Sequence, residues 1–352
     1  MFEAIIAAIR PLNEPVMERC QLRLDNLTKP LNSLYSFEHI VRQVAGVTGN
    51  PRPGRLNKSV IIMAADNGVA VELAWSQEQL TTAQRVERFC QGRAAINVFA
   101  EHVKAKPVLV DIGVAADLPP FSAMHHKKVA YGTQNMTQGP AMTSEQMRQA
   151  VQLGMDFARQ EIGQGSQVFG LGEMGTGGII PAMAVVACYH KALAEEVTGR
   201  EAELVRSALT VNGPDRQDPL AVLTTVGSLA IAGLVGVILG AAAGQAVVVL
   251  DGLATSAAAL IAVKLAPAVK PYLLGSHFAA EPAHKTALAL LDLPAYLQLN
   301  MNMGEGTGAA LGMSLINASL HVINDMKTFG EAEVAVAQDG PGALKQSHAV
   351  RD

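Results

Sequence analysis

The feature that most constrains the fold of this chain is an alternation of two kinds of segment. Short apolar runs that end in a glycine or a polar residue are followed by longer stretches with helical periodicity. The strand-like runs lie at 58–68, 106–113, 166–175, 246–252 and 271–277. The helical stretches include 83–103, 143–163, 179–197 and 254–268. This order predicts an α/β fold in which a parallel sheet carries helices on both faces.

Polar residues stand at the ends of these strand-like runs. The carboxyl ends of parallel strands meet at one edge of a sheet, and ligands bind in the crevice there. The residues expected along this rim are Asp66, Asn67, Asp111, Glu173, Asp251, Ser276 and His277.

The segment 219–250 contains no charged residue, and its apolar part is long enough to span a bilayer. Gly240, Gly244 and Gln245 divide that part into a helix-length piece and a short β-branched piece. No aromatic belt and no Lys/Arg flank anchors it in a membrane. We therefore predict a buried helix followed by a buried strand, and no membrane association.

Charge and cysteine usage narrow the function further. A net charge of -4 provides no basic field for a polyanion, so nucleic acid is not an expected partner. The three cysteines form no metal-binding spacing, and the odd number suits a reducing compartment. The first residues carry no basic region ahead of their apolar run, so they do not resemble an export signal. We expect a cytoplasmic protein that binds a small molecule.

The helical segments at both ends lie outside the alternation. We expect a large α/β domain at 36–305 and a small helical domain formed by 1–35 and 306–352.

Two glycine-rich phrases each contain one glutamate. "GLGEMGTGG" at 170–178 contains Glu173 and precedes a helix, so it suits either an anion-binding loop or a tight strand-to-helix turn. "MGEGTGAALG" at 303–312 places Glu305 before another helix. Glu305 could take a proton from a substrate at close range, or it could cap the helix.

The histidines are weaker candidates. His125 and His126 lie in a polar segment with two lysines and are expected at the surface. His277 and His284 are seven residues apart with Pro282 between them, which does not suit a helical metal site. We predict no metal and no cofactor.

Ordered phrases along the chain resemble one enzyme family. They include "AADNGVA", "TTAQRVERFCQGRAAINVFA", "YGTQNMTQGPAMTSEQ", "FGLGEMGTGG", "GSHFAAEPAH" and "MGEGTGAALGMSLINASLHVINDMKTF". Their order and spacing, from about residue 28 to 335, are those of nicotinate-nucleotide:dimethylbenzimidazole phosphoribosyltransferase. The resemblance implies a Rossmann-like parallel sheet with a small helical domain, and a dimer. It also implies transfer of 5-phosphoribose from nicotinate mononucleotide to the lower-ligand base during cobamide (vitamin B12-type) synthesis.

The resemblance also implies roles for individual residues. Glu305 corresponds to the general base that takes the proton from the attacking ring nitrogen. Trp75, Ser76 and Gln84 would border the acceptor base. The donor would contact Gly304 and the loop residues Glu173, Met174, Gly175, Thr176, Gly177 and Gly178.

The sequence departs from the family pattern around the donor phosphate. Gly178, Ile179 and Ile180 replace residues whose side chains donate hydrogen bonds in the family, and Glu201 stands where a lysine is expected. Ala279 replaces a serine, and Asn67 replaces a histidine. These changes predict weak donor binding.

Three interpretations follow. The first is a subunit with a degenerate phosphate site that forms a heterodimer with an active paralogue, serving benzimidazole or phenol and p-cresol acceptors. The second is a self-sufficient homodimer in which Arg200 or Arg206 holds the phosphate. The third is a non-catalytic protein that binds a base or a nucleotide.

Overall fold

The computed structural model describes residues 2–73, 80–193 and 197–351. Its main sheet has six parallel strands in the order β3-β2-β1-β4-β5-β6, and a smaller sheet pairs β7 with β8. The strands are β1 Lys58–Ala65, β2 Ala105–Gly113, β3 Met124–His126, β4 Val168–Met174, β5 Val247–Leu250, β6 Leu273–Gly275, β7 His277–Ala279 and β8 Leu297–Met301. The predicted parallel sheet is therefore confirmed.

Fifteen α-helices and two 3₁₀ helices, Gly68–Glu72 and Pro267–Tyr272, are found in the described ranges. The α-helices are α1 Phe2–Ala8, α2 Glu14–Asn26, α3 Ser36–Thr48, α4 Thr82–Cys90, α5 Ala95–Val103, α6 Ser144–Gly163, α7 Ile179–Tyr189, α8 Arg200–Asn212, α9 Pro219–Val226, α10 Leu229–Ala243, α11 Leu253–Leu265, α12 Pro282–Leu291, α13 Thr307–Asp325, α14 Phe329–Ala332 and α15 Gly340–Lys345.

Strand β1 lies at the centre of the sheet, with all eight of its residues buried. It pairs with β2 on one side and with β4 on the other, so that Ile61 lies between Val108 and Leu171. Because both faces of such a strand are covered, its sequence reads as an unbroken apolar run.

The charge-free segment forms α9, α10 and β5, as predicted apart from the break before Leu229. Helix α10 is buried from Leu229 to Ala242 and packs against α6. A Cβ on Gly154 of α6 would lie 1.9 Å from the carbonyl oxygen of Gly233, and one on Gly236 would lie 2.0 Å from that of Val151. The small residues thus allow the backbones of α6 and α10 to touch. Helix α10 is covered on every side, which explains why its sequence is apolar throughout. No helix in the described ranges has the length and apolarity to cross a membrane.

Three elements differ from the sequence-based expectations. The helix expected over 83–103 is two helices, because Gly92 has a φ of +72° in the turn between α4 and α5. The helix expected over 179–197 ends at Tyr189. Strand β3 contains the two histidines expected at the surface: His126 is exposed, but His125 is half-buried and its ring lies 5.0 Å from that of Phe157.

The chain divides into two compact units: residues 1–10 with 58–312, and residues 11–57 with 313–352. These boundaries differ from those expected near residues 35 and 305. In the second unit Arg23 contributes to the packing, since its Nε donates to the carbonyl of Ile323 at 3.0 Å and its guanidinium pairs with Glu331 at 3.0 Å. Lys29 and Glu38 form a buried ion pair at 2.9 Å in the same unit.

Candidate active site

The polar residues predicted for one rim of the sheet follow the carboxyl ends of neighbouring parallel strands. Asp66 follows β1, Asp251 follows β5 and Ser276 follows β6, while Glu173 occupies the penultimate position of β4. The parallel topology places these ends at the same edge, so the prediction of a shared rim is confirmed.

A left-handed turn carries Glu305 to this rim. Gly304, Glu305 and Gly306 have φ values of +68°, +62° and +86°, a conformation that costs a residue other than glycine about 1–3 kcal/mol. The N–H of Glu305 donates to the carbonyl of Glu173 at 3.2 Å. A Cβ on Gly172 would lie 2.6 Å from the carbonyl carbon of Glu305. The two glycine-rich phrases are therefore in direct contact.

The carboxylate of Asp251 holds this turn through hydrogen bonds. Its carboxylate is 2% exposed and accepts from the N–H of Gly306 at 2.9 Å and from the N–H of Gly308 at 2.7 Å. Because these amides begin α13, the cap that one interpretation assigned to Glu305 is supplied by Asp251. The carboxylate of Glu305 is left for another role.

Glu173 lies beside the turn, and its carboxyl group is buried and closely packed. Its Oε1 is buried and has no hydrogen-bond partner among the described residues. A Cβ on Gly178 would lie 2.5 Å from this oxygen, and one on Gly175 would lie 2.7 Å from it. Burial raises the pKa of Glu173 to about 8, and the charges of Glu305, Asp66 and Asp251 add to the increase, while Arg85 opposes it. Glu173 is therefore mostly protonated at neutral pH.

Glu305 itself is 4% exposed. Burial raises its pKa above the ordinary value, the charge of Asp251 raises it further, and Arg85 lowers it. A buried carboxylate with a raised pKa is suited to accept a proton near neutral pH.

The loop from Glu173 to Gly178 is fixed through Thr176. The N–H of Thr176 donates to Oγ1 of Thr82 at 3.0 Å, and its carbonyl accepts from Nδ2 of Asn67 at 3.0 Å. Met174 is fully buried, and Gly177 has a φ of +74°. Gly178 precedes α7, and among the described residues no side chain caps that helix end. The loop therefore offers an anion mainly backbone N–H groups.

Two cavities open beside these glutamates. The smaller, of about 150 Å³, is lined by residues that include Glu173, Gly178, Asp251, His277 and Gly304. The larger, of about 460 Å³, is lined by residues that include Arg88, Arg93 and Glu305. Arg85, Asn302 and Met303 line both cavities. The sequence reasoning missed Arg85, because nothing in its local pattern reveals that α4 brings it between two acids.

The histidines at this rim are held by neutral partners. Nδ1 of His284 accepts from the N–H of Ala279 at 3.0 Å, and its Nε2 faces Oγ of Ser256 at 3.1 Å. Burial lowers the pKa of His284 to about 4, and nearby His277 lowers it as well. Nδ1 of His277 lies 2.9 Å from Oγ of Ser276. Within the described ranges, no group of three or more His, Cys, Asp or Glu side chains is arranged to hold a metal ion.

The three residues predicted to border the acceptor base stay a prediction. Trp75 and Ser76 fall outside the described residues. The side chain of Gln84 is exposed and accepts from the N–H of Thr81 at 2.9 Å in a capping box.

The arginines suggested as phosphate ligands are engaged away from both cavities. Arg200 pairs with Glu72 at 3.5 Å and with Glu203 at 3.2 Å. Arg206 donates to the carbonyl of Val197 at 3.4 Å. Glu201 lies in the first turn of α8, and Ala279 lines the smaller cavity.

Comparisons with known proteins show which family the chain is similar to. Residues 9–334 match the family model described as phosphoribosyltransferase. Nicotinate-nucleotide–dimethylbenzimidazole phosphoribosyltransferases from Chloroflexus aurantiacus and Roseiflexus sp. are each 43% identical, over 95% and 94% of this chain and 99% and 97% of their own lengths. The crystal structure of the enzyme of that name from Thermus thermophilus is similar with a TM-score of 0.86 and 35% identity, covering 92% of this chain and 99% of that one. The chain therefore belongs to the nicotinate-nucleotide–dimethylbenzimidazole phosphoribosyltransferase family.

Proposed function

We propose that this protein transfers the 5-phosphoribosyl group of nicotinate mononucleotide to a lower-ligand base during cobamide assembly in the cytoplasm. The names of its relatives support this activity. The observation that carries the proposal is the position of Glu305, a buried carboxylate with a raised pKa on the wall of one cavity, next to the cavity that contains Glu173.

In this mechanism the acceptor base occupies the larger cavity and the donor occupies the smaller one. The ring nitrogen of the acceptor attacks the anomeric carbon with inversion while Glu305 takes the proton from the acceptor ring. The bond from the anomeric carbon to the pyridinium nitrogen breaks, and its electron pair goes to that nitrogen. The ring nitrogen of nicotinate becomes neutral when it leaves, so nicotinate is a good leaving group. The protein side chains therefore mainly position the reactants and accept one proton.

The test compares the isolated chain with its Glu305→Gln variant in turnover of saturating nicotinate mononucleotide with benzimidazole, so that no paralogue contributes an active site. Loss of a general base lowers kcat by about 10²–10⁴. Glu101→Gln is the matched control, because Glu101 is an exposed acid in α5 that lines neither cavity. An unchanged kcat in Glu305→Gln would contradict the assignment of the base.

We further propose that donor binding is weak in this subunit and that an active paralogue completes the enzyme as a heterodimer. Support comes from the smaller cavity, where Glu173 and Asp251 would face the donor. Among the described residues that line this cavity, Arg85 is the one lysine or arginine. Gly178 and Ile179 offer no side-chain donors there. A phosphate would depend on backbone N–H groups and Arg85.

The competing candidate is a self-sufficient homodimer, which is favoured by full-length similarity to relatives that are named for the whole transferase activity and by the additional arginines of the larger cavity. Assays with benzimidazole, phenol and p-cresol, using this chain alone and then mixed with a paralogue, separate the candidates. Full activity of the isolated chain would exclude the heterodimer proposal. Binding of base or nucleotide without turnover in either assay would indicate a binding protein.

A further inference from the structure

Three arginines form a cluster beside Glu305, and apart from Arg85 they have no part in the mechanism above. Arg85 and Arg88 are three residues apart on α4, so they project from the same side of the helix. Arg93 lies in the following turn, where its N–H donates to the carbonyl of Arg88 at 2.9 Å. All three line the cavity of about 460 Å³, together with the one acid among its described lining residues, Glu305.

Arg85 lies close enough to Glu173 and Glu305 to lower the pKa of both, whereas the charges of Arg88 and Arg93 are poorly balanced by protein groups. The ion pairs found among the described residues involve other arginines, such as Arg23, Arg42 and Arg200, and none includes a member of the cluster. The side chain of Arg93 makes a long hydrogen bond, from Nη1 to Oε1 of Gln91 at 3.5 Å. The cavity wall therefore carries three guanidinium groups and, among the residues described, one carboxylate.

The beginning of α5 adds a second source of positive potential. Ala94 and Ala95, the N-cap and first residue of this helix, line the same cavity. The N–H of Ala94 donates to Oδ1 of Asn97 at 2.9 Å, but no side chain of the described residues accepts from the amides of Ala95 and Ile96. A helix N-terminus carries partial positive charge and presents N–H groups that bind anions.

We propose that Arg85, Arg88, Arg93 and the first turn of α5 bind an oxyanion, a phosphate or a carboxylate group, next to Glu305. Guanidinium groups and free backbone N–H groups are the donors that recognise such groups in proteins. The size of the cavity leaves room for a ring system as well as the anionic group. Which molecule carries the oxyanion rests on the proposed function, but the binding site itself does not.

Inorganic phosphate is the probe, and calorimetric titration of the full-length protein is the measurement. Arg88→Gln and Arg93→Gln change exposed side chains, and each is expected to weaken phosphate binding about tenfold, the effect of losing one charge-assisted hydrogen bond. Arg148→Gln removes the same charge from α6, outside the cavity, and should leave binding unchanged. Absence of phosphate binding, or equal binding by all variants, would overturn the proposal.

Steady-state assays then identify the source of the oxyanion. If it is the donor phosphate, which would then extend from the smaller cavity past Arg85 into the larger one, Arg88→Gln raises the KM for nicotinate mononucleotide but not for nicotinate riboside, which lacks the phosphate. If it belongs to the acceptor, the same variant raises the KM for a carboxylated benzimidazole but not for benzimidazole. A variant that changes neither KM would contradict a role in substrate recognition. A wild-type protein that is inactive both alone and mixed with the paralogue, yet binds phosphate through these arginines, would refute the proposed function alone.

Discussion

Asp251 is predicted to act on catalysis through Glu305, without contacting the reacting atoms. Its two carboxylate oxygens accept from the amides of Gly306 and Gly308, which flank the turn that begins α13. Glu305 precedes the first of these amides and is held at a φ of +62°. The Asp251→Asn variant keeps the shape of the side chain but replaces one oxygen by an NH₂ group.

The size of the effect follows from these contacts. The asparagine oxygen can accept from one amide, while its NH₂ group faces the other N–H, so one charge-assisted bond is lost at a site that is 2% exposed. Such a bond contributes about 1.5–3 kcal/mol, similar to the roughly 1–3 kcal/mol cost of the left-handed conformation of Glu305. If this whole free energy is lost from the positioning of Glu305, kcat/KM decreases by about 10–150-fold.

The assay compares kcat/KM and its pH dependence in Asp251→Asn with those of Asp218→Asn. Asp218 is a matched control, because its carboxylate also accepts from two amides, those of Leu220 and Ala221, at the start of α9. Removing the negative charge of Asp251 should also lower the pKa of Glu305, so the acidic limb of the profile moves to lower pH.

A second measurement separates a positioning role from a purely structural one. In the Glu305→Gln background, Asp251→Asn should add little to the loss of activity, because both changes disable the same group. The reasoning is refuted if folded Asp251→Asn retains wild-type kcat/KM, or if the two losses are additive.

Three other predictions concern the glycine-rich contact and the buried acid. Gly172→Ala should lower stability by about 1–3 kcal/mol in thermal denaturation, since its Cβ would meet the backbone of Glu305, whereas Gly139→Ala, with nothing within 4 Å, should be neutral. The KM for nicotinate mononucleotide should rise as the pH passes about 8, because Glu173 then loses its proton and adds a negative charge facing the donor. Glu173→Gln should abolish that pH dependence, and a dependence that persists would show that another group titrates. Since folding raises the pKa of Glu173 above 4.5, stability should decrease as the pH rises from about 4.5 to 8.

The parts of the fold that could be predicted are those in which the local pattern and the burial agree. The apolar runs of β1 and β5 and the charge-free helix α10 are buried on all sides, so their sequences show it directly. Strand β3 has three residues in a polar segment, too few for any periodicity to appear. It forms because Met124 pairs with Leu109 of β2, a long-range contact that no short window contains.

The site was predictable to the extent that glycine spacing revealed it. The glycines around Glu173 and Glu305 indicate two segments whose backbones can be approached closely. In the structure, a Cβ on Gly172 would clash with the backbone of Glu305, and a Cβ on Gly178 would clash with the carboxyl group of Glu173. The partners of Glu305 were not predictable in the same way. The sequence places Asp251 at the rim but carries no local sign of its contact with Glu305 or of the position of Arg85, because both depend on the tertiary packing of β5 and α4.

The three acids at the rim differ in what surrounds them, and this difference supports separate roles. Burial raises the pKa of Asp251, but the backbone amides of Gly306 and Gly308 and nearby His277 oppose this increase, and the carboxylate holds the turn through these two amides. Glu173 has a buried oxygen without a partner among the described residues and a pKa of about 8, so it holds a proton at neutral pH. Three neighbouring carboxylates cannot all be ionised cheaply in a buried site, and protonation of Glu173 relieves that repulsion. Glu305, which faces Arg85 and an open cavity, is left as the acid that can be ionised before the reaction and protonated after it.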